Sequence, residues 1–188
     1  PLSRLGPGMS GTLAPPAALH EREKTGVGQK INCSLMESMV SFLSYHAVGY
    51  MNTGEIPKKY GSGLPNIEPY RAFAAKDGEF VIGVGNDTNF RKVCNVIGKP
   101  ELADDPRFST NPQRVANRDA LTEVLSASFA RESRDDIVGR IVAAGVPCSE
   151  IKNVAEVCAD EQMNFRKMFP TLSHPKVPEH KLIRTPIE

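Results

Sequence analysis

The tripeptide Lys76-Asp77-Gly78 separates two apolar runs, YRAFAA at 70–75 and EFVIGV at 79–84, and it limits this chain more than any other feature. Asp-Gly between β-prone runs signals a hairpin, because a primed turn needs positive φ and glycine supplies it without steric cost. Strands joined this way are antiparallel. The Gly83-Val84-Gly85 that follows is therefore a poor dinucleotide loop: no βαβ unit surrounds it, and the third glycine of GxGxxG is missing. Gly26-Val27-Gly28-Gln29-Lys30 lacks the phosphate-loop spacing and reads as a helix stop followed by a turn.

Helices are expected on both sides of the hairpin. Asn86-Asp87 caps one that carries Phe90, Val93, Cys94 and Ile97 and ends at Gly98. A second begins near Asn117 with Leu121, Val124, Leu125 and Phe129 on one face, and Ser133 and Asp136 box a third that ends at Gly145. Val146-Pro147-Cys148 reads as a short edge strand, since proline has no N–H for a central ladder. One helical turn is expected at 154–157, and a Pro-rich extended segment at 170–188.

Upstream, Pro15-Pro16 is expected to stop any helix from running through, so a helix begins at Pro16 and ends at Gly26. Gln29 to Cys33 alternates like a short half-buried strand. Ser34 and Glu37 open a helix on which Leu35, Met36, Met39, Val40, Phe42, Leu43, Ala47 and Val48 cover a broad face, closed by Asn52-Thr53-Gly54. Such a helix is expected to be covered on more than one side.

Charge and composition exclude several classes. With 23 basic and 22 acidic residues the formal net charge is +1, so no long-range field points to nucleic acid or a membrane surface. No run approaches the ~18 apolar residues of a spanning helix. Cys33, Cys94, Cys148 and Cys158 form no CxxC pair and are expected to be reduced thiols rather than metal ligands. His20, His46, His174 and His180 are scattered, and no Ser-His-Asp or Cys-His constellation can be assembled.

The remaining candidate is a linker, TGEIPKKYGSGLPN at 53–66. Lys58-Lys59 beside Gly61-Ser62-Gly63 suits a phosphate or acyl ligand, although most lysine pairs in linkers are merely solvated. The organisation expected is a segment 1–52, the linker 53–66, a small α+β domain at 67–160 and an extended return at 161–188.

Four stretches carry a resemblance: AALHEREKTGVGQKINCSLMES at 17–38, NIEPYRAFAAKDGEFVIGVGND at 66–87, KPELADDPRFSTNPQRVANRDAL at 99–121 and AGVPCSEIKNVAEV at 144–157. In this order and spacing the chain resembles the family III CoA-transferases, and is most similar to their dicarboxylate branch of the succinyl-CoA:glutarate type. The resemblance implies an α/β and α+β fragment: the end of a Rossmann-like large domain (1–52) plus the small α+β domain. It also implies an interlocked homodimer, acyl-CoA and carboxylic acid as substrates, and no tightly bound cofactor; neither nucleic acid nor membrane is an expected partner.

In that family an aspartate carboxylate is the nucleophile, passing through an aspartyl anhydride. Aligned without gaps its position falls near Arg4, and the first aspartate here is Asp77. Arginine stays protonated and cannot serve. Glu21 and Glu23 lie at the other end of the helix, where solvation is the plainer role. The chain is accordingly expected to be inactive alone, with residues 1–14 foreign to the family or diverged. Gly61, Ser62 and Gly63 fall where the family's formyl-CoA transferases carry a glycine-rich loop over the covalent intermediates, which makes them the candidate substrate loop. Two other readings remain: a non-catalytic assembly or dimerisation protein, and the acyl-CoA racemase branch of the same fold.

Overall fold

The computed structural model describes residues 2–187, apart from the side chain of Pro178. The chain divides into two compact units between Lys59 and Tyr60.

The first unit is helical. Helix α1 spans Leu2–Thr25 as one element with Pro7, Pro15 and Pro16 inside it, which corrects the expectation that the double proline stops it. Proline's fixed φ is itself helical; what it removes is a hydrogen bond, and along this largely exposed helix water can satisfy the freed carbonyls. Gly26 (φ +72°) ends α1 as expected, donating its N–H to the Arg22 carbonyl at 2.8 Å.

No strand forms at 29–33: the alternation is there, but among the described residues of the first unit there is no strand to pair with it. The single helix expected after Ser34 is two, α2 (Leu35–Ser41) and α3 (Ser44–Thr53), broken where Ser44 takes φ +46°. Ser34 Oγ accepts from the Glu37 N–H at the start of α2, and Gly54 (φ +74°) closes α3. Helix α2 approaches α1 at Gly6, where a Cβ would stand 2.9 Å from the Phe42 ring. Met36, Val40, Phe42, Leu43 and Val48 stay at least half exposed, so the described residues of this unit do not supply the expected two-sided cover.

The second unit is built on a three-stranded antiparallel sheet in the order β1-β2-β3, with β1 Tyr70–Ala74, β2 Glu79–Gly83 and β3 Cys148–Ile151. The 76–78 hairpin is real, but its connection is not the primed turn expected. Ala74 pairs with Glu79, leaving 75–78 as the loop, and Gly78 does not adopt a left-handed conformation. Helices α4 (Asp87–Val96), α5 (Asn111–Ala116), α6 (Arg118–Phe129) and α7 (Arg134–Ala143) lie between β2 and β3 in sequence. Of these, α5 was not foreseen. Phe73 and Phe80, paired across β1 and β2, meet Phe129 of α6 edge-on at 5.1 and 5.0 Å between centroids. Phe90, Val93, Leu121, Leu125, Ile137 and Ile141 are among the other residues of the buried core.

Pro147 sits just before β3, on the sheet edge, and its carbonyl accepts from the Gly83 N–H at 2.9 Å. Two short helices follow, α8 (Val154–Ala159) and α9 (Glu161–Phe165). The segment expected to be merely extended is a hairpin, β4 (Thr171–His174) with β5 (Val177–Lys181). None of the described helices is long and apolar enough to cross a membrane.

Candidate functional site

The chain at 60–71 runs along helices α5 and α6 without joining a sheet until β1. Side chains hold it there. Asn111 brackets it, its Nδ2 donating to the Asn66 carbonyl at 2.8 Å while its Oδ1 accepts from the Glu68 N–H at 3.1 Å. Arg114 is fully buried, yet each of its three nitrogens has a partner: Nε donates to the Glu68 carbonyl at 2.7 Å, Nη1 to the Phe108 carbonyl at 3.0 Å and Nη2 to Asp87 Oδ1 at 2.7 Å. Its guanidinium also stacks on Phe90, 4.5 Å from the ring centroid.

Arg118, one turn further on, faces the start of the same segment. Its Nη2 donates to the carbonyls of Leu64 and Pro65 at 2.8 and 3.0 Å. Its Nη1 lies 2.6 Å from Glu68 Oε2, an ion pair outside hydrogen-bond geometry, and the guanidinium sits 5.5 Å from the Tyr60 ring centroid. Glu68 has no solvent exposure. Burial pushes its carboxyl above the ordinary range, outweighing the opposing pull of Arg118, Arg71 and Arg114. The Glu68–Pro69 peptide is cis.

Within this frame lie the three candidate loop residues. Gly61 takes φ +62° with open space where a Cβ would stand. That conformation is costly for any residue with a Cβ. Ser62 Oγ accepts from the Ala72 N–H at 3.0 Å, using a donor on the free edge of β1. Gly63 donates its N–H to the Tyr60 carbonyl at 3.0 Å, and a Cβ there would press on that carbonyl at 3.2 Å. The structure thus brings all three together as a tight turn with an open tip and an anchored base.

Sequence reasoning missed the anchors, Arg114, Arg118 and Glu68. The available signal was weak: two arginines four residues apart, beside the apolar face of α6. Cys94 and Cys148 are thiols pushed up to about 11 by burial, Cys148 with help from Glu150, and neither suits nucleophilic work at neutral pH. All four cysteines are free. Among the described residues no cluster of metal-ligating side chains forms. Glu21 and Glu23 are exposed on α1. Asp77 caps the start of α7, accepting from the Arg134 N–H at 2.7 Å.

A family model described as CoA-transferase family III matches residues 2–188. Of residues 1–14, expected to be foreign to the family or diverged, residues 2–14 lie inside the match, which corrects the first of these alternatives. The chain is 36% identical over 161 residues to the mouse succinyl-CoA:glutarate CoA-transferase, covering 86% of this chain and 37% of that protein. It is 38% identical over 153 residues to acetyl-CoA:oxalate CoA-transferase of Acetobacter aceti, covering 81% and 39% respectively. The crystal structure of a CAIB/BAIF family protein from Brucella suis superposes with a TM-score of 0.81 at 39% identity, over 97% of this chain and 47% of that one. A Mycobacterium tuberculosis protein, 22% identical, shares the fold with a TM-score of 0.80, over 99% of this chain and 47% of that one. The chain thus spans under half the length of these relatives, and its helices and antiparallel sheet match a part of their mixed fold. By the family match over nearly its whole length, this chain belongs to CoA-transferase family III.

Proposed function

We propose that these residues supply the small domain and substrate loop of an enzyme that moves CoA from an acyl-CoA thioester to a carboxylic acid, with dicarboxylates as the acid class. The carrying observation is the 60–63 turn, whose left-handed Gly61 leaves the tip open while Arg118 ties down both flanks. A backbone without side chains at Gly61 and Gly63 allows close approach to a covalent intermediate. Relatives named for glutarate and oxalate support the acid class.

The reaction proposed is a sequence of acyl exchanges at one aspartate. A carboxylate oxygen attacks the thioester carbonyl carbon; the C–S bond breaks, CoA leaves as thiolate and a mixed anhydride forms. The thiolate then attacks the aspartyl carbonyl, expelling the donor acid and leaving an aspartyl-CoA thioester. The acceptor carboxylate attacks that thioester, and the released thiolate takes the acceptor's acyl carbon, freeing the aspartate. No electrons are gained or lost, and coenzyme A is substrate rather than resident cofactor. Anhydride hydrolysis is the competing reaction, so a loop that excludes water has a defined task.

The first aspartate here is Asp77, already committed to the α7 start, and we read these 188 residues alone as catalytically incompetent. The half-exposed apolar residues of α2 and α3 suit a homodimer contact, to be checked by sedimentation velocity. The central test offers succinyl-CoA and glutarate to the natural gene product and, separately, to the 188-residue chain. Glutaryl-CoA by mass spectrometry is expected from the first only. Exchange of the substrate α-proton without CoA transfer would replace this reading with the racemase branch. Acyl-CoA binding without turnover by the gene product would replace it with a non-catalytic role.

A further inference from the structure

We infer that Arg118 is the positioning residue of the 60–66 loop: its guanidinium grips both flanks, so that movement is confined to Gly61 and Ser62. The inference rests on the loop reading above. One side chain reaches Tyr60 on the entering flank, through the ring stack, and the Leu64 and Pro65 carbonyls on the leaving flank. Its Nη1 would also lie 3.5 Å from a Cβ on Gly63, so the turn folds directly against it.

A guanidinium suits this task because it is planar and presents several donors in a fixed fork while stacking on an aromatic ring. Glu68, without solvent exposure, sets the counter-charge beside Nη1 and so restricts the guanidinium to one orientation. Arg118 itself is only 15% exposed, which keeps water from competing for the two carbonyls. The tip is held differently. Ser62 Oγ takes one neutral hydrogen bond from Ala72 at an exposed position, where water competes, whereas the Arg118 bonds to the flank are charge-assisted and partly buried. A strong base and a weak latch let the tip lift from the β1 edge while the flanks stay in place.

Hydrogen exchange on the 188-residue chain tests this. Arg118→Lys keeps the charge but loses the fork and the stack. It is expected to raise exchange at the Gly63 and Glu68 amides at least tenfold, leaving β2 and α7 unchanged. Ser62→Ala should accelerate the Ala72 amide without touching Glu68. Unchanged Gly63 exchange in Arg118→Lys overturns the inference. If that variant fails to fold, Tyr60→Leu, which removes only the stack, should raise Gly63 exchange about threefold, and no rise overturns it equally. In the natural gene product Arg118→Lys is expected to lower kcat more than it raises KM for acyl-CoA. Faster loop exchange with unchanged turnover would leave the clamp standing and remove the substrate role of the loop.

Discussion

Arg114 and Glu68 meet through the backbone: the Nε of the buried arginine donates to the Glu68 carbonyl at 2.7 Å, and neither residue has solvent exposure. The same guanidinium ties Phe108 and Asp87, so one side chain joins the loop segment, the stretch before α5 and the first turn of α4. Replacing it by methionine strands two carbonyls away from water and removes the stack on Phe90. Each buried carbonyl left without its donor costs about 1–3 kcal/mol, so the two together cost on the order of 2–6 kcal/mol. Arg114→Met is therefore expected to lower the Tm by about 10 °C in calorimetry, at roughly 2–4 °C per kcal/mol for a chain of this size.

Gly78 is required by a neighbour and not by its own backbone angle. A Cβ there would stand 2.9 Å from Arg134 Cδ and 3.3 Å from its Nη1. That arginine cannot easily retreat, because its Nη2 pairs with Glu156 at 2.9 Å and its Nη1 reaches the Ile151 carbonyl. Gly78→Ala should destabilise by about 1 kcal/mol in the natural background. In an Arg134→Ala background the same change should be neutral or stabilise by about 0.5 kcal/mol, since alanine restricts the unfolded chain. A double-mutant cycle by urea denaturation measures the difference, and additive costs would refute the contact as the cause.

Glu68 gives stability a pH dependence of unusual sign. Desolvation raises its folded-state pKa above the ordinary 4.5, against Arg118, Arg71 and Arg114 and in the same direction as Asp119. The folded state then binds the proton more tightly than the unfolded one, so stability falls as pH rises from about 4.5 through the raised value. Glu156 and Asp160 work oppositely. Arg134 and Lys152 hold them low, and their stabilisation is lost as pH falls below the ordinary carboxylate range. Thermal melts of Glu68→Gln between pH 4.5 and 7 should show a flatter decline than the parent. An unchanged slope would place the titration elsewhere.

Where the signal was local, the sequence was legible. Gly26, Gly54, Gly98 and Gly145 each end a helix or follow its last turn at positive φ, because only glycine takes that conformation freely. The apolar runs at 70–75 and 79–84 do form the paired strands β1 and β2. The misses share a different cause. Pro15-Pro16 reads as a break, but a helix mostly facing water tolerates freed carbonyls. The segment 170–188 reads as merely extended, because nothing local in it announces that Thr171–His174 will pair with Val177–Lys181. In the candidate site, Gly61, Ser62 and Gly63 are legible as a glycine loop beside Lys58-Lys59, and family likeness adds the substrate-loop role. The arginines that hold them stayed hidden because burial of a charged side chain depends on which carbonyls the fold brings near, and local sequence does not carry that.

The four thiols should separate into two kinetic classes. Cys94 and Cys148 are pushed up to about 11, so at pH 8 only about a thousandth of each is thiolate. Burial adds a barrier of access for Cys94 in particular, which sits within the α4 face of the core. Cys33 and Cys158 are exposed. Titration with a disulfide reagent under native conditions should give two fast equivalents and two slow ones. Cys33→Ala and Cys158→Ala should each remove one fast equivalent. The slow pair should accelerate when Arg114→Met loosens the core around α4, because Phe90, on which that arginine stacks, lies one turn from Cys94. A slow phase at its parental rate in Arg114→Met would show that the arginine pins the loop segment without tightening the helix beneath it.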